Sequence, residues 1–254
     1  MHRKTNLMKH WLIALTLLMT GLLPLHAQEE RPAPSLSVGD VVENRITDEQ
    51  FEIFYTVQGE AGSVIIFELT ATEDRSELSG PEMILYDADG RQLLDTLDHF
   101  GAFQEAKLVL ELPDTGTYEL LVTRSDGRAG DSVGDFRLRV ISPVRLLPGD
   151  TYDDAALNNA TLNYYIVQED TPFSVFYEFS NGEMDPFIVG YAVAEGELDE
   201  AARLSGSGLI SGSIGLRGGD ASIHIITVGD SPFASYFDDR VERADYRLRL
   251  LVSE

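Results

Sequence analysis

Four aspartates, Asp87, Asp89, Asp95 and Asp98, fall within twelve residues. Hard oxygen ligands at that density suit Ca²⁺, which takes six to eight oxygens. The spacing is not that of an EF-hand loop, because the sixth position counted from Asp87 is Gln92 where such a loop needs glycine. Asp89-Gly90 reads equally as a hairpin turn flanked by solvated charge. These four residues are the candidate metal ligands, Ca²⁺ is the ion they would take, and no other cofactor is expected.

Histidine is scarce. The chain holds His2, His10, His26, His99 and His224. A Ser-His-Asp triad needs a base oriented by an acid with a nucleophile in reach, and no Gly-x-Ser-x-Gly elbow occurs; Gly206-Ser207-Gly208 and Gly212-Ser213 miss the spacing. His99 reads as a loop residue beside Asp98, and His224 as a strand residue facing away from Ile223 and Ile225. A histidine pair binds zinc only with further acid ligands, for which no motif appears. Cysteine is absent, which excludes disulfides, thiolate metal sites and a cysteine nucleophile. No catalytic residue is expected. With 43 acids in the chain, some pair will lie at glycosidase separation by chance, so such a pair discriminates nothing.

Leu112-Pro113-Asp114-Thr115-Gly116 spells a sortase signal, but a strand follows it rather than an apolar tail. It reads as a turn in which proline presets φ and glycine accepts positive φ. The sequon Asn159-Ala160-Thr161 carries no meaning behind a bacterial-type leader.

That leader is the first element that must be set aside. Arg3, Lys4 and Lys9 precede an apolar run from Trp11 to Leu25, and Ala27 ends a small-residue cleavage site. Residues 1–27 are expected to be a signal peptide, too short to span as an anchor, and 28–35 a polar leader. Removing 1–27 takes three bases and no acid, so the formal charge moves from −24 to −27. That charge opposes nucleic-acid binding, which needs basic patches, and opposes anionic membranes. The expected location is the periplasm or the extracellular space.

Beyond the leader the chain repeats at a spacing of 110 residues. Leu36 to Asp40 is echoed by Leu146 to Asp150, Phe54 to Gln58 by Tyr164 to Gln168, Val64 to Thr70 by Ser174 to Ser180, and Asp135 to Val140 by Asp245 to Leu250. Between the third and fourth blocks the spacing falls to 105, pairing Tyr86 with Tyr191 and Leu120 with Ile225. Two units are therefore expected, 36–143 and 144–254, in contact across a short linker. Period-two runs such as Phe136-Arg137-Leu138-Arg139-Val140 read as half-buried strands. Seven or eight strands per unit are expected, with Glu197 to Leu204 the one stretch that fits a short helix. The fold class is all-β, two tandem jelly-roll-like β-sandwiches.

Adjacent aromatic pairs place one ring in and one ring out. Phe54-Tyr55, Tyr164-Tyr165 and Phe176-Tyr177 are such pairs. Their inner rings belong to the core. The outer rings pack between strands or at the contact of the two units, or form a sugar- or peptide-binding platform.

The opening Leu-x-x-Gly-Asp at Leu36, the strand from Val64, Met83 to Gly90, and Leu112 to Val122 with its Pro-Asp-Thr-Gly turn resemble the bacterial pre-peptidase C-terminal domain. The resemblance implies a β-sandwich, an exported context and no catalytic residue. The second half departs from it, with Ala192 at the place of Asp87 and Leu216 to Asp220 replacing the turn. The expectation is a non-catalytic exported binding or accessory protein with an unknown protein or glycan partner. The alternative is a calcium- or carbohydrate-binding module.

Overall fold

The computed structural model describes residues 33–72, 78, 80–96, 105–157, 162–169, 171–180, 186–194, 197–205, 211–217, 223–230 and 243–252. The expected signal peptide, Asp98 and His99 lie outside them. Pro34–Glu254 forms one compact unit.

The first half contains β1 (Ser35–Leu36), β2 (Val41–Ile46), β3 (Ile53–Gly59), β4 (Val64–Ala71), β5 (Pro81–Tyr86), β6 (Gln92–Asp95), β7 (Glu105–Glu111), β8 (Gly116–Arg124) and β9 (Gly134–Ile141), with a 3₁₀ turn at Gly127–Ala129. The second half contains β10 (Val144–Arg145), β11 (Thr151–Leu157), β12 (Asn163–Val167), β13 (Phe173–Phe179), β14 (Pro186–Ala194), β15 (Glu197–Ser205), β16 (Ser211–Leu216), β17 (Ile223–Asp230) and β18 (Arg243–Val252). Sheet I has the order β1-β3-β8-β5-β6 and sheet II the order β2-β9-β4-β7. Sheet III, β10-β12-β17-β14-β15, and sheet IV, β11-β18-β13-β16, repeat those orders with every strand advanced by nine. Eight antiparallel strands in each half thus make a jelly roll. The two-residue strands β1 and β10, each parallel to its neighbour, raise the described number to nine per half.

Period-two burial drives this arrangement. Along β18, Ala244, Tyr246, Leu248 and Leu250 are buried and the arginines and aspartate between them are exposed. Sheets I and II enclose one core around Tyr55, Phe67, Leu120 and Phe136. Sheets III and IV enclose another around Tyr165, Tyr177, Ile226 and Tyr246.

A third cluster joins the halves. Val64, Ile66 and Val109 of sheet II pack with Tyr164, Ile166, Ile223 and Ile225 of sheet III. Strand β4 is therefore covered on both faces, which is why it reads as the nearly continuous apolar run Val64 to Leu69 rather than an alternation. The one acid in that run, Glu68, is 6% exposed and has partners from both halves. Arg139 donates to it at 2.7 Å, and the Tyr164 hydroxyl donates to its other oxygen. Burial, then the Glu68 carboxylate, raises Tyr164 well above the ordinary phenol range. Lys107 pairs with Glu105 at 2.7 Å; burial works to lower it, but the Glu105 and Glu68 carboxylates outweigh that and raise it.

Three sequence expectations are corrected. Glu197 to Leu204 is not helical but strand β15, because its backbone is held by a run of pairings with β14. Cross-strand pairing here overrides local propensity. Leu120 corresponds to Ile226 and not Ile225, since Tyr55 pairs with Leu120 and Tyr165 with Ile226. A one-residue slip would exchange a core side chain for a junction one. On β13 the match slides by two residues: Leu69 faces Leu138 as Tyr177 faces Leu248. Two residues preserve the buried face, so sequence pattern alone does not detect the slide.

Candidate functional site

The strongest candidate is a groove of about 800 Å³ on the solvent side and margin of sheet IV. Three adjacent strands build it. Arg243, Asp245 and Arg247 point outward from β18, Asp153 from β11 and Glu178 from β13. Arg247 lies between Asp153 on one neighbouring strand and Glu178 on the other. It donates to Asp153 at 2.7 Å, and that bond is the main reason its pKa is raised. Arg243 donates to Asp245 at 2.9 Å. Both pairs are well exposed, so they contribute little to stability and are free to exchange partners with a charged ligand.

Beneath the groove runs a chain of hydrogen bonds. Asn163 donates to the Tyr246 hydroxyl at 2.8 Å, the Tyr246 and Tyr165 hydroxyls are 2.5 Å apart, and Tyr165 donates to Asp154 at 2.6 Å. The second oxygen of Asp154 accepts the Ala155 N–H at 2.8 Å. Burial, reinforced by the neighbouring Tyr246 and Asp154, raises Tyr165 far above the ordinary phenol range. Burial also raises Tyr246. The first half has a shorter version: Asn44, the equivalent of Asp154, donates to Tyr55 at 3.0 Å, and Phe136 stands in place of Tyr246. Among the described residues, only the second half thus carries a polar network from its core to the rim of the groove.

The aspartates proposed as calcium ligands are placed differently. Asp87 closes the hairpin between β5 and β6. One of its oxygens accepts the N–H groups of Asp89 at 3.0 Å and Arg91 at 2.9 Å, and the other accepts the Arg91 guanidinium at 3.0 Å. The backbone bond from Arg91 is the largest cause of its lowered pKa. Asp89 stands at the exposed tip, Asp95 on β6 accepts from Gln92, and Asp98 lies outside the described residues. Among the described residues no three acids or histidines converge as a metal site.

The outward rings do not share a face. Phe54 is exposed on sheet I, Tyr164 is buried in the junction and Phe176 lies on sheet IV. His224 is buried in the second core, edge-on to Phe173. Sequence reasoning did not single out Arg243, Arg247 or Asp154. The signal available was the alternation of arginines along β18 and the replacement of Asn44 by Asp154 in the repeat.

No protein-family model matches the chain, and no curated protein is similar to it. Among solved structures, it is similar to the pre-peptidase C-terminal domain of collagenase from Bacillus anthracis, at 15% identity and a TM-score of 0.33, over 42% of this chain and 93% of that one. It is also similar to a protein from Eubacterium rectale that is taken to be secreted, at 14% identity and a TM-score of 0.30, over 84% of this chain and 74% of that one. The CUB1-EGF-CUB2 region of rat MASP-1 matches at 9% identity and a TM-score of 0.24, over 85% of this chain and 99% of that one.

Proposed function

We propose that this protein is a non-catalytic, exported binding or accessory module made of two jelly-roll repeats, and that it recognises its partner through the groove on sheet IV. The observation that carries the reading is an asymmetry between equivalent faces. The outward face of sheet II is covered by the junction at β4 and β7 and keeps one exposed ion pair, Arg45–Asp135, on its β2–β9 margin, whereas the groove of sheet IV is ringed by two exposed ion pairs and underlain by the Tyr165–Tyr246–Asp154 network. The basic, apolar and small-residue order of residues 1–27 supports export. Periplasmic or extracellular placement and a protein or glycan partner follow from the same reading.

Side chains of both signs favour a polar partner, a charged peptide segment above a neutral sugar, because the ion pairs of the rim can re-form with side chains of either sign. The exported chain is applied to arrays of charged peptides and of glycans. Peptide binding that disappears when Arg243→Glu and Arg247→Glu are combined, with melting temperature preserved, supports the reading. Binding that ignores the double substitution moves the site elsewhere, and turnover of any arrayed substrate overturns the non-catalytic assignment.

A further inference from the structure

The repeat presents one position in two chemical forms. Tyr118 on β8 pairs with Val57, and His224 on β17 pairs with Val167, so the two residues are equivalents. Both are buried. The Tyr118 hydroxyl donates to the Asp114 carbonyl at 2.5 Å, tying the Pro-Asp-Thr-Gly turn onto the sheet. A hydroxyl takes up no proton in mild acid. An imidazole does.

His224 is 1% exposed and meets the Phe173 ring edge-on, 5.0 Å between centroids. Its hydrogen bond goes to the backbone of Arg217, just beyond β16, while its buried Nδ1 has no partner among the described residues. Its cross-strand neighbours are Val167 of β12 and Ala192 of β14. Among the described residues, the titratable groups on the surrounding elements do not offset a charge there. Tyr165 of β12 and Tyr177 of β13 are phenols that burial keeps neutral. Glu178 of β13 lies on the outward face of sheet IV, and Tyr191 of β14 packs at the junction. Asp199 and Glu200 of β15 are exposed at the sheet edge, Glu200 paired with Arg203, and Arg217 itself is exposed.

We propose that His224 is an acid-sensitive latch of the second sandwich, one that the first sandwich lacks. Uptake of a proton at Nδ1 puts an unpaired charge against Phe173 in a dry core. Strand β17 then detaches at this end, and because its other face carries Ile223 and Ile225, the junction loosens with it. The first sandwich, latched by Tyr118, stays closed.

The direction follows from linkage. Burial holds the folded imidazole below its ordinary value. Stability is therefore complete above the unfolded-state pKa of about 6.5 and declines as pH falls below it. Each unit of pH over which the closed form excludes the proton raises the opening constant about tenfold.

The test is amide hydrogen exchange of the full chain at pH 7.5 and 5.0, corrected for intrinsic rates. Protection of β12 and β17 is expected to fall at pH 5.0 while β3 and β8 keep theirs, and His224→Tyr and His224→Phe are each expected to abolish the difference. Equal protection of β17 at both pH values overturns the proposal, as does a loss that persists in a folded variant. Should neither variant fold, the NMR titration of His224 in the unmodified chain decides. A midpoint below about 6.5 coincident with β17 opening supports the latch, and a midpoint at or above about 6.5, or one without opening, sinks it.

Discussion

Tyr55, Tyr164, Tyr165 and Tyr246 are buried phenols whose pKa values are all raised, burial being the largest cause in each. A group whose folded pKa is raised contributes stability below its unfolded value and loses it as pH rises beyond. The fold is therefore expected to resist alkali until about pH 10 and then to unfold with release of several phenolic protons together. Absorbance at 295 nm should show this ionisation coincident with loss of circular dichroism; early, gradual phenolate formation in a folded protein would contradict it. At the same scale, Glu68 holds Arg139 and Tyr164 at once. Glu68→Leu strips both of their acceptor and is expected to cost about 3 kcal/mol in urea denaturation.

Among the elements, the connection from β8 to β9 is clamped by one buried guanidinium. Arg124, 2% exposed, donates to the Gly127 carbonyl at 2.9 Å, the Ser132 carbonyl at 3.2 Å and Asp48 at 2.9 Å, and lies over the Phe51 ring. Gly130 fits this loop because it has no side chain: a Cβ there would stand 2.2 Å from the Ser125 carbonyl oxygen. The obstacle is backbone, so relief requires the loop to move off Arg124. Gly130→Ala is expected to lower stability by about 2 kcal/mol, read as a fall in the urea midpoint with unchanged slope. The strands on either side were legible from period two, whereas β15 was not. Its alanines and acids suit a helix, and only pairing with β14 makes it a strand.

For the molecule as a whole, the central residues of the junction have polar or small counterparts on the free faces, although Phe54, the counterpart of Tyr164, is exposed on sheet I. Ile66 and Val109 correspond to Ser174 and Gly215 on sheet IV, and Ile166 and Ile225 to Thr56 and Glu119 on sheet I. Leu251, the counterpart of half-buried Ile141, is 40% exposed. The chain thus builds the apolar patch where its own halves meet and not where a third unit would stack. Because the junction adds a third cluster to the two cores, both halves are expected to melt in one calorimetric transition. Ile225→Asp, which buries a charge there, should split that transition into two. A single peak in that variant would mean that the cores couple by another route.

The sequence by itself determined the all-β class, the repeat, and which side chains of each paired strand turn inward. Those properties are local, since a two-residue alternation and a turn such as Asp89-Gly90 encode them within a few positions. It did not determine the register of β13, the strand state of β15, the fate of the outward rings or the location of the groove. Each of these depends on residues distant in the chain. Tyr164 is buried because sheet II covers it, Asp153 meets Arg247 because β11 pairs with β18, and the four aspartates between 87 and 98 are neighbours in sequence while Asp87 spends its oxygens on its own hairpin. Proximity along the chain constrains geometry only across a turn or a strand, and the rest is decided by which surfaces the packed sheets leave in water.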